Sequence, residues 1–452
     1  MTQKPWYLLF AAVAAFGLIC GSSVSAQVVP IDGEEPEAAS PTPDLTEQIP
    51  EVTEAIEKFN NRDIQGALDA LRRARKARPE LPPAEVILAQ FCVRANLGSG
   101  VRLWLERAVI EEPGDPQAYL ILGDVAIRNR QVTEASLLFQ KAQQLLATMP
   151  EGKRKDALKP QVLAGMAAVA EARGQWDQVK TYLTDLLKLV PDNVVALQRM
   201  SRTLFQLKDP KGALAELKKA KDVNEDVLSP STQLAMLYDQ AGDREQAKQW
   251  MEYALKSEPN DLRVQLIGAQ WMLNNGDLAQ AQTLSAKALQ IDPKSLQAKV
   301  LRGVVALYQG KYTEAERYFE EAHLQSPSSF APGNNLALAL CEQSEDAKKL
   351  KALEYATSNA RQHRQGRFAP EAASTYGWVL YKMGRVDDAN RVLTSLIQQT
   401  GGNVSPDTAY YLAQVLVEKG QADQAKKILE GILKGERQFS KKIEAQRLLD
   451  TL

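Results

Sequence analysis

Residues 303–327 read GVVALYQGKYTEAERYFEEAHLQSP, and the order of small and bulky residues in that stretch decides the fold. Gly303, Gly310, Ala315, Phe319, Ala322 and Pro327 are its landmarks. Steps of three, four and seven residues place Ala315, Phe319 and Ala322 on one helix face. Gly310 supplies the left-handed backbone that ends a preceding helix. Pro327 stops the following one, because it has no N–H and disfavours helix in the residue before it. The stretch is a helix, a tight turn and a second helix.

Working outward, the same arrangement returns at a near-constant interval of 34 residues. Alignment on the small residue of the second helix gives Ala67, Val101, Ala135, Val179, Ala213, Ala247, Ala281, Ala315, Ala352, Ala389 and Ala425, eleven candidate copies. A second close-packing alanine follows at 74, 108, 142, 220, 254, 288 and 322, and the turn glycine precedes at 174, 242, 276, 310, 384 and 420. Alanine at these places lets helix axes approach closely. Helix starts are expected at Asp115-Pro116, Ser229-Pro230 and Ser405-Pro406, each a cap before proline, and Thr313 with Glu316 reads as a capping box. A generic helical bundle has no reason to keep a fixed period. A helical hairpin of this length cannot bury its apolar face alone and stacks on copies of itself.

The repeats resemble the tetratricopeptide repeat over roughly residues 48–438. The resemblance implies an all-α fold, a right-handed superhelical solenoid of about eleven helix–turn–helix repeats. Residues 439–452, amphipathic over Lys441–Leu452, are expected to add a capping helix over the last apolar face. Departures from the beat are informative. The interval from Ala135 to Val179 is 44 residues, which predicts a longer second helix in the third repeat and an exposed basic loop around Thr148–Lys159. In the first copy Arg62 stands where the turn glycine belongs. The ninth copy opens on Asn334-Asn335, and Ser344–Lys351 lengthens its turn.

Before the repeats lie two different segments. Lys4, the apolar run Trp6–Cys20 and the small residues Ser22–Ala26 read as a signal peptide over 1–26, cut after Ala26. This predicts an exported, periplasmic or extracellular chain; retention of the segment as a membrane anchor, or a lipid on Cys20, are the alternatives. Residues 27–47 carry Asp32, Glu34, Glu35, Glu37, Asp44 and Glu47 with no lysine or arginine and four prolines, a flexible acidic linker. The formal net charge of −1 argues against a nucleic-acid partner, which needs a basic stripe. Cys92 and Cys341 fall in the second and ninth repeats, too far apart in a stack for a disulfide, so both are expected as thiols.

Chemistry is sparse. The two histidines, His323 and His363, have no ligand partners at metal spacing. No phosphate-cradling loop, nucleophile elbow or Cys-x-x-Cys pair is present. The expectation is no enzyme, no cofactor and no metal. In the resembled family the first helix of each pair lines a concave groove. Carried over by register, its positions are Leu266, Gln270 and Leu273 in the seventh repeat, Val300, Val304, Leu307 and Tyr308 in the eighth, Asn334 and Leu338 in the ninth, Ser374, Trp378 and Tyr381 in the tenth, and Tyr410 and Gln414 in the eleventh, so the expected groove spans repeats seven to eleven. Trp378, Tyr381 and Tyr410 have the profile of interface anchors, an apolar body with a polar tip. For Trp378 and Tyr381, packing between helices stays open beside binding; Tyr376 and Tyr411 read as core. Asn335 matches one position of the family's carboxylate-binding set, but the accompanying lysines and arginine are missing. The reading is an exported scaffold or adaptor that binds a protein or peptide segment and assists a secretion, pilus or envelope assembly system. The alternative is a self-associating structural module, a homo-oligomer without a peptide ligand. Membrane contact is expected only if the N-terminal segment stays uncleaved.

Overall fold

A computed structural model of the chain describes residues 49–435 and 438–452. The expected signal peptide and acidic linker lie outside the described residues. Regular structure among the described residues is entirely helical, 23 helices in all. They form two compact units that divide at Ala247 and Lys248.

In the first unit, successive pairs are α1 (Pro50–Asn60) with α2 (Ile64–Ala77), α3 (Ala84–Arg94) with α4 (Gly98–Glu111), α5 (Pro116–Arg128) with α6 (Val132–Thr148), α7 (Lys153–Ala172) with α8 (Trp176–Leu189), and α9 (Val194–Gln206) with α10 (Pro210–Val223). Next comes α11 (Pro230–Gln240), and the division falls within α12 (Arg244–Ser257). The second unit continues with α13 (Leu262–Asn274) and α14 (Leu278–Ile291), α15 (Leu296–Tyr308) and α16 (Tyr312–Gln325), α17 (Phe330–Cys341) and α18 (Asp346–Gln362), α19 (Ala369–Lys382) and α20 (Val386–Gln399), α21 (Pro406–Glu418) and α22 (Ala422–Leu433), and a single last helix, α23 (Lys442–Asp450).

Each pair closes by the same physics. Ala67, Ala135, Ala213, Ala281, Ala315, Ala352, Ala389 and Ala425 are wholly buried where helices cross. Gly303 is as small as it can be for a visible reason, since a Cβ there would stand 2.5 Å from the ring of Phe319. At the turn after α15, the Gly310 amide donates to the Leu307 carbonyl and the Lys311 amide to that of Ala306, with Gly310 at φ 69°. That is the left-handed stop expected of a glycine. In the first unit the same conformation is held by Arg62, Asn96, Arg130 and Lys208, with φ between 54° and 65°.

Three local expectations are corrected. The stretch Thr148–Lys159 is not an exposed loop: α6 runs to Thr148 and the basic residues open α7, a helix of 20 residues. Arg154 lies 2.6 Å from Asp115, the cap of α5, and the buried Lys155 donates to the Met149 carbonyl at 2.8 Å. The basic cluster answers internal acceptors that sequence spacing does not reveal. Thr313 does not cap α16, because Gly310 sets the register so that Lys311 takes the cap position; Glu316 instead pairs with Lys348 at 2.7 Å. Of the three proline-led starts, Asp115 and Ser405 accept cap hydrogen bonds and Ser229 does not. Cys92 and Cys341 are both free and buried.

Candidate inner-face groove of the second unit

The first helices of repeats eight to eleven are α15, α17, α19 and α21. Steps of three and four residues put Val300, Val304 and Leu307 on one face of α15, Asn334 and Leu338 on one face of α17, Ser374, Trp378 and Tyr381 on α19, and Tyr410 and Gln414 on α21. Val300, Val304, Leu307, Leu338, Trp378 and Tyr410 all join one buried apolar cluster, with Tyr308 and Tyr381 packed half-exposed against it. Trp378 is only 3% exposed. Its ring stacks on Tyr411 at 4.3 Å and on Tyr381 at 5.1 Å, with Tyr410 tilted at 5.9 Å. Tyr411 is core, as its register suggests. Asn334 and its neighbour Asn335 are fully buried, and neither side-chain amide has a hydrogen-bond partner.

Residues Gln438–Lys441, which lead into α23, lie against the same cluster. Phe439 is buried within it. The Ser440 hydroxyl donates to Asp407 Oδ1 at 2.7 Å, and the Lys441 amide donates to the same oxygen at 3.2 Å. Lys441 follows Asp407 by one repeat of 34 residues, so α23 stands where the first helix of a further repeat belongs. The Lys441 side chain then reaches back to the eighth and ninth repeats. Its Nζ lies 2.8 Å from Glu342 Oε1 and donates to the Tyr312 hydroxyl at 3.1 Å.

Glu342 is the electrostatic centre of the site. It follows the last residue of α17, and its buried carboxylate also accepts from Trp378 Nε1 at 2.9 Å and from Lys382 Nζ at 3.0 Å. Burial alone would raise its pKa, but the Lys441 and Lys382 ammonium groups outweigh that and hold it below the ordinary carboxylate value. Burial would lower the pKa of Lys441; Glu342 and Tyr312 more than reverse this and keep it charged. Asp407 shows the opposite balance. It is fully buried, and desolvation pushes it up to about 6 despite the hydrogen bonds from Ser440 and the Lys441 amide. Burial likewise pushes Tyr410 up to about 12. Beside this network opens a cleft of about 450 Å³ lined by Glu342, Tyr381, Lys382 and Glu418 among others.

The register therefore brings Val304, Leu307, Tyr308, Asn334, Leu338, Trp378, Tyr381 and Tyr410 to one face. Sequence reasoning passed over Glu342, Lys382, Asp407, Phe439 and Lys441. One signal was available: Glu342, Lys382 and Glu418 occupy the same last inner position of successive first helices, an alternation of charge at fixed register. Among the described residues no group of His, Cys, Asp and Glu could hold a metal ion, and no helix is long and apolar enough to cross a membrane.

Two models described as tetratricopeptide repeat match residues 95–150 and 380–449, and one described as anaphase-promoting complex, cyclosome, subunit 3 matches 240–322. No curated protein matches the chain. Among solved structures, yeast Tom70 is 15% identical with a TM-score of 0.36, covering 89% of this chain and 94% of that one. The APC/C hetero-tetramer Cut9–Hcn1 gives 12%, 0.37, 84% and 85% in the same order. YrrB, described as a TPR protein with an unusual peptide-binding site, gives 20%, 0.28, 41% and 91%. Identity and superposition are low in all three.

Proposed function

Because the chain belongs to the tetratricopeptide-repeat superfamily, we propose that it is a non-enzymatic adaptor whose second unit holds a segment of a partner protein against α15, α17, α19 and α21. One observation carries the reading: this inner face already accommodates a short non-helical segment, with a seat for an aromatic ring, an acceptor for a hydroxyl and a carboxylate for an ammonium group. The unpartnered amide groups of Asn334 support it, since a buried polar group without a partner is costly and gains from a donor or acceptor brought by a ligand. Export belongs to the same proposal: the mature chain begins at Gln27, and N-terminal sequencing of native protein checks it. An intact Met1, or lipid on Cys20, would contradict export by a cleaved signal.

Tyr381 is the position to probe, because it is half-exposed at the cleft while Trp378 is buried in the wall. A photo-crosslinking residue at position 381 in the producing cell is expected to capture one defined partner segment. Tyr381→Ala is expected to weaken that partner by at least about 2 kcal/mol, roughly thirtyfold, as for an interface anchor. Unchanged affinity in the folded variant would place the binding surface elsewhere.

Self-association is the second reading, and a specific feature favours it. On the second helices of repeats two and three, Leu103, Ile110 and Leu137 are 60%, 77% and 64% exposed. Leu137 follows Leu103 by one repeat, so an exposed leucine recurs at one register on α4 and α6, and Ile110 lies two turns beyond Leu103 on α4. If that face joins two copies, sedimentation of the mature chain shows a dimer that Ile110→Glu dissolves.

A further inference from the structure

We infer that Gln438–Lys441 is an internal and displaceable occupant of the groove, and that the partner segment replacing it carries an aromatic residue followed two positions later by a basic one. The inference rests on the adaptor reading and adds the chemistry of the partner to it. The chain's own segment is the template. Phe439 is buried in the apolar cluster to which Trp378 and Tyr410 also belong, and Lys441, two positions on, meets Glu342 and Tyr312. The serine between them engages Asp407.

Displacement is built into the charges. Removing one partner of a buried ion pair usually strands the other. Here the Glu342 carboxylate has two ammonium partners and an indole donor, so when Lys441 leaves, Lys382 and Trp378 Nε1 stay on it at 3.0 and 2.9 Å. Lys441 has an acceptor to leave with, since Glu444 of its own helix stands 3.5 Å away. The groove therefore accepts a visiting cation without depending on one. On the other side, α23 has nine residues, buries Ala445 and sets Leu448 and Leu449, partly covered, against the cluster. A helix so short is not stable alone, so its opening needs only the loss of these contacts and not of α19 or α21. The cleft lined by Tyr381, Lys382 and Glu418 borders Glu342 and gives an incoming basic side chain an approach from solvent. Phosphorylated or acidic segments do not fit, because the group awaiting them is a carboxylate.

The test uses the mature full-length chain and a fluorescent nine-residue peptide with the sequence of residues 438–446, QFSKKIEAQ. The variant Phe439→Ala with Lys441→Ala empties the groove without touching its walls. It is expected to bind the peptide at least tenfold tighter than the unaltered chain, and a peptide lacking both the phenylalanine and the first lysine is expected to bind neither. Equal binding by variant and unaltered chain overturns the inference while leaving a peptide groove intact. Binding by neither overturns the inferred partner chemistry, and the crosslink at position 381 then decides the adaptor reading separately. Hydrogen exchange on the unaltered chain gives a second check that needs no variant. The amides of Ser440 and Lys441 are expected to open locally, faster when excess peptide is present, with α19 and α21 unchanged. Exchange of these amides only together with α19 and α21 also overturns the inference.

Discussion

The inner helices of the fourth and fifth repeats, in the first unit, and those of the eighth to eleventh, in the second, use one frame to opposite ends. In the first unit, Ala164, Glu171, Gln198 and Arg202 are half-exposed, and the face is tied by polar links such as Gln198 to Gln233 at 3.1 Å. In the second, Val304, Leu338, Trp378 and Tyr410 are buried in a cluster that the chain's own Phe439 joins, with Lys441 paired to Glu342. The turns differ too. The second unit sets glycine at its left-handed positions, Gly276, Gly310, Gly384 and Gly420, where the first has Arg62, Asn96, Arg130 and Lys208 besides Gly174 and Gly242. The repeat fixes where helices cross; the residues left over at inner positions decide whether a face is a solvated wall or a seat.

That contrast is breakable at one register. Trp378 and Arg202 occupy the same inner position of the tenth and fifth repeats. Trp378→Ala is expected to cost about 3–5 kcal/mol, as for other buried large-to-alanine changes, read by hydrogen exchange in the second unit. Arg202→Ala is expected to change the first unit by no more than about 0.5 kcal/mol. Comparable losses would mean the two faces are packed alike.

Asp407 supplies a difference that pH exposes. Its folded pKa, about 6, lies above the ordinary value of 3.8, so the native state holds the proton more tightly than the unfolded chain. Stability of the second unit is therefore expected to fall as pH rises from about 4 to about 6, by on the order of 2–3 kcal/mol, and to level off above. Asp407→Asn, which stays neutral and keeps an acceptor, is expected to flatten the profile in urea melts. A second unit that instead gains stability over this range would contradict the burial argument.

Where the units agree, effects should match. A Cβ on Gly165 would stand 2.3 Å from the Phe139 ring, and one on Gly303 2.5 Å from Phe319. Gly165→Ala and Gly303→Ala are each expected to cost about 1–3 kcal/mol by overpacking, loosening their own and adjacent repeats first. Smallest is the turn effect. Lys208→Gly removes a left-handed lysine and is expected to stabilise the first unit by roughly 0.5–1 kcal/mol, while Gly310→Lys destabilises the second by roughly 1–2 kcal/mol. Thermal midpoints of the paired variants moving in the same direction would show that the turns are not strained as their φ values suggest.

Much of this fold was legible because each repeat states the same constraints again. Ala315 and Gly310 are informative alone, and the recurrence of alanine in eight other copies and of the turn glycine in five removes the ambiguity. Inner register was legible for the same reason, so Trp378, Tyr381 and Tyr410 fall on one face as their spacing implies. What escaped is non-local. Arg154 and Lys155 look like a solvated cluster until Asp115 and the Met149 carbonyl are placed beside them. Lys441 reads as the start of one more amphipathic helix; that it meets Glu342 and Tyr312 depends on how the stack curves between the eighth repeat and the last helix, which a period does not encode.

Side-chain footprinting with hydroxyl radicals tests the central claim most directly, that the inner face of the second unit is a binding seat closed by the chain's own segment. In the intact chain Trp378 and Tyr410 should be protected, while Tyr253, 57% exposed, is labelled freely. In Phe439→Ala with Lys441→Ala, labelling of Trp378 and Tyr410 should rise several-fold and that of Phe205 in the first unit should not change. Trp378 labelled as fast as Tyr253 in the intact chain, or unchanged in the folded variant, would contradict the account.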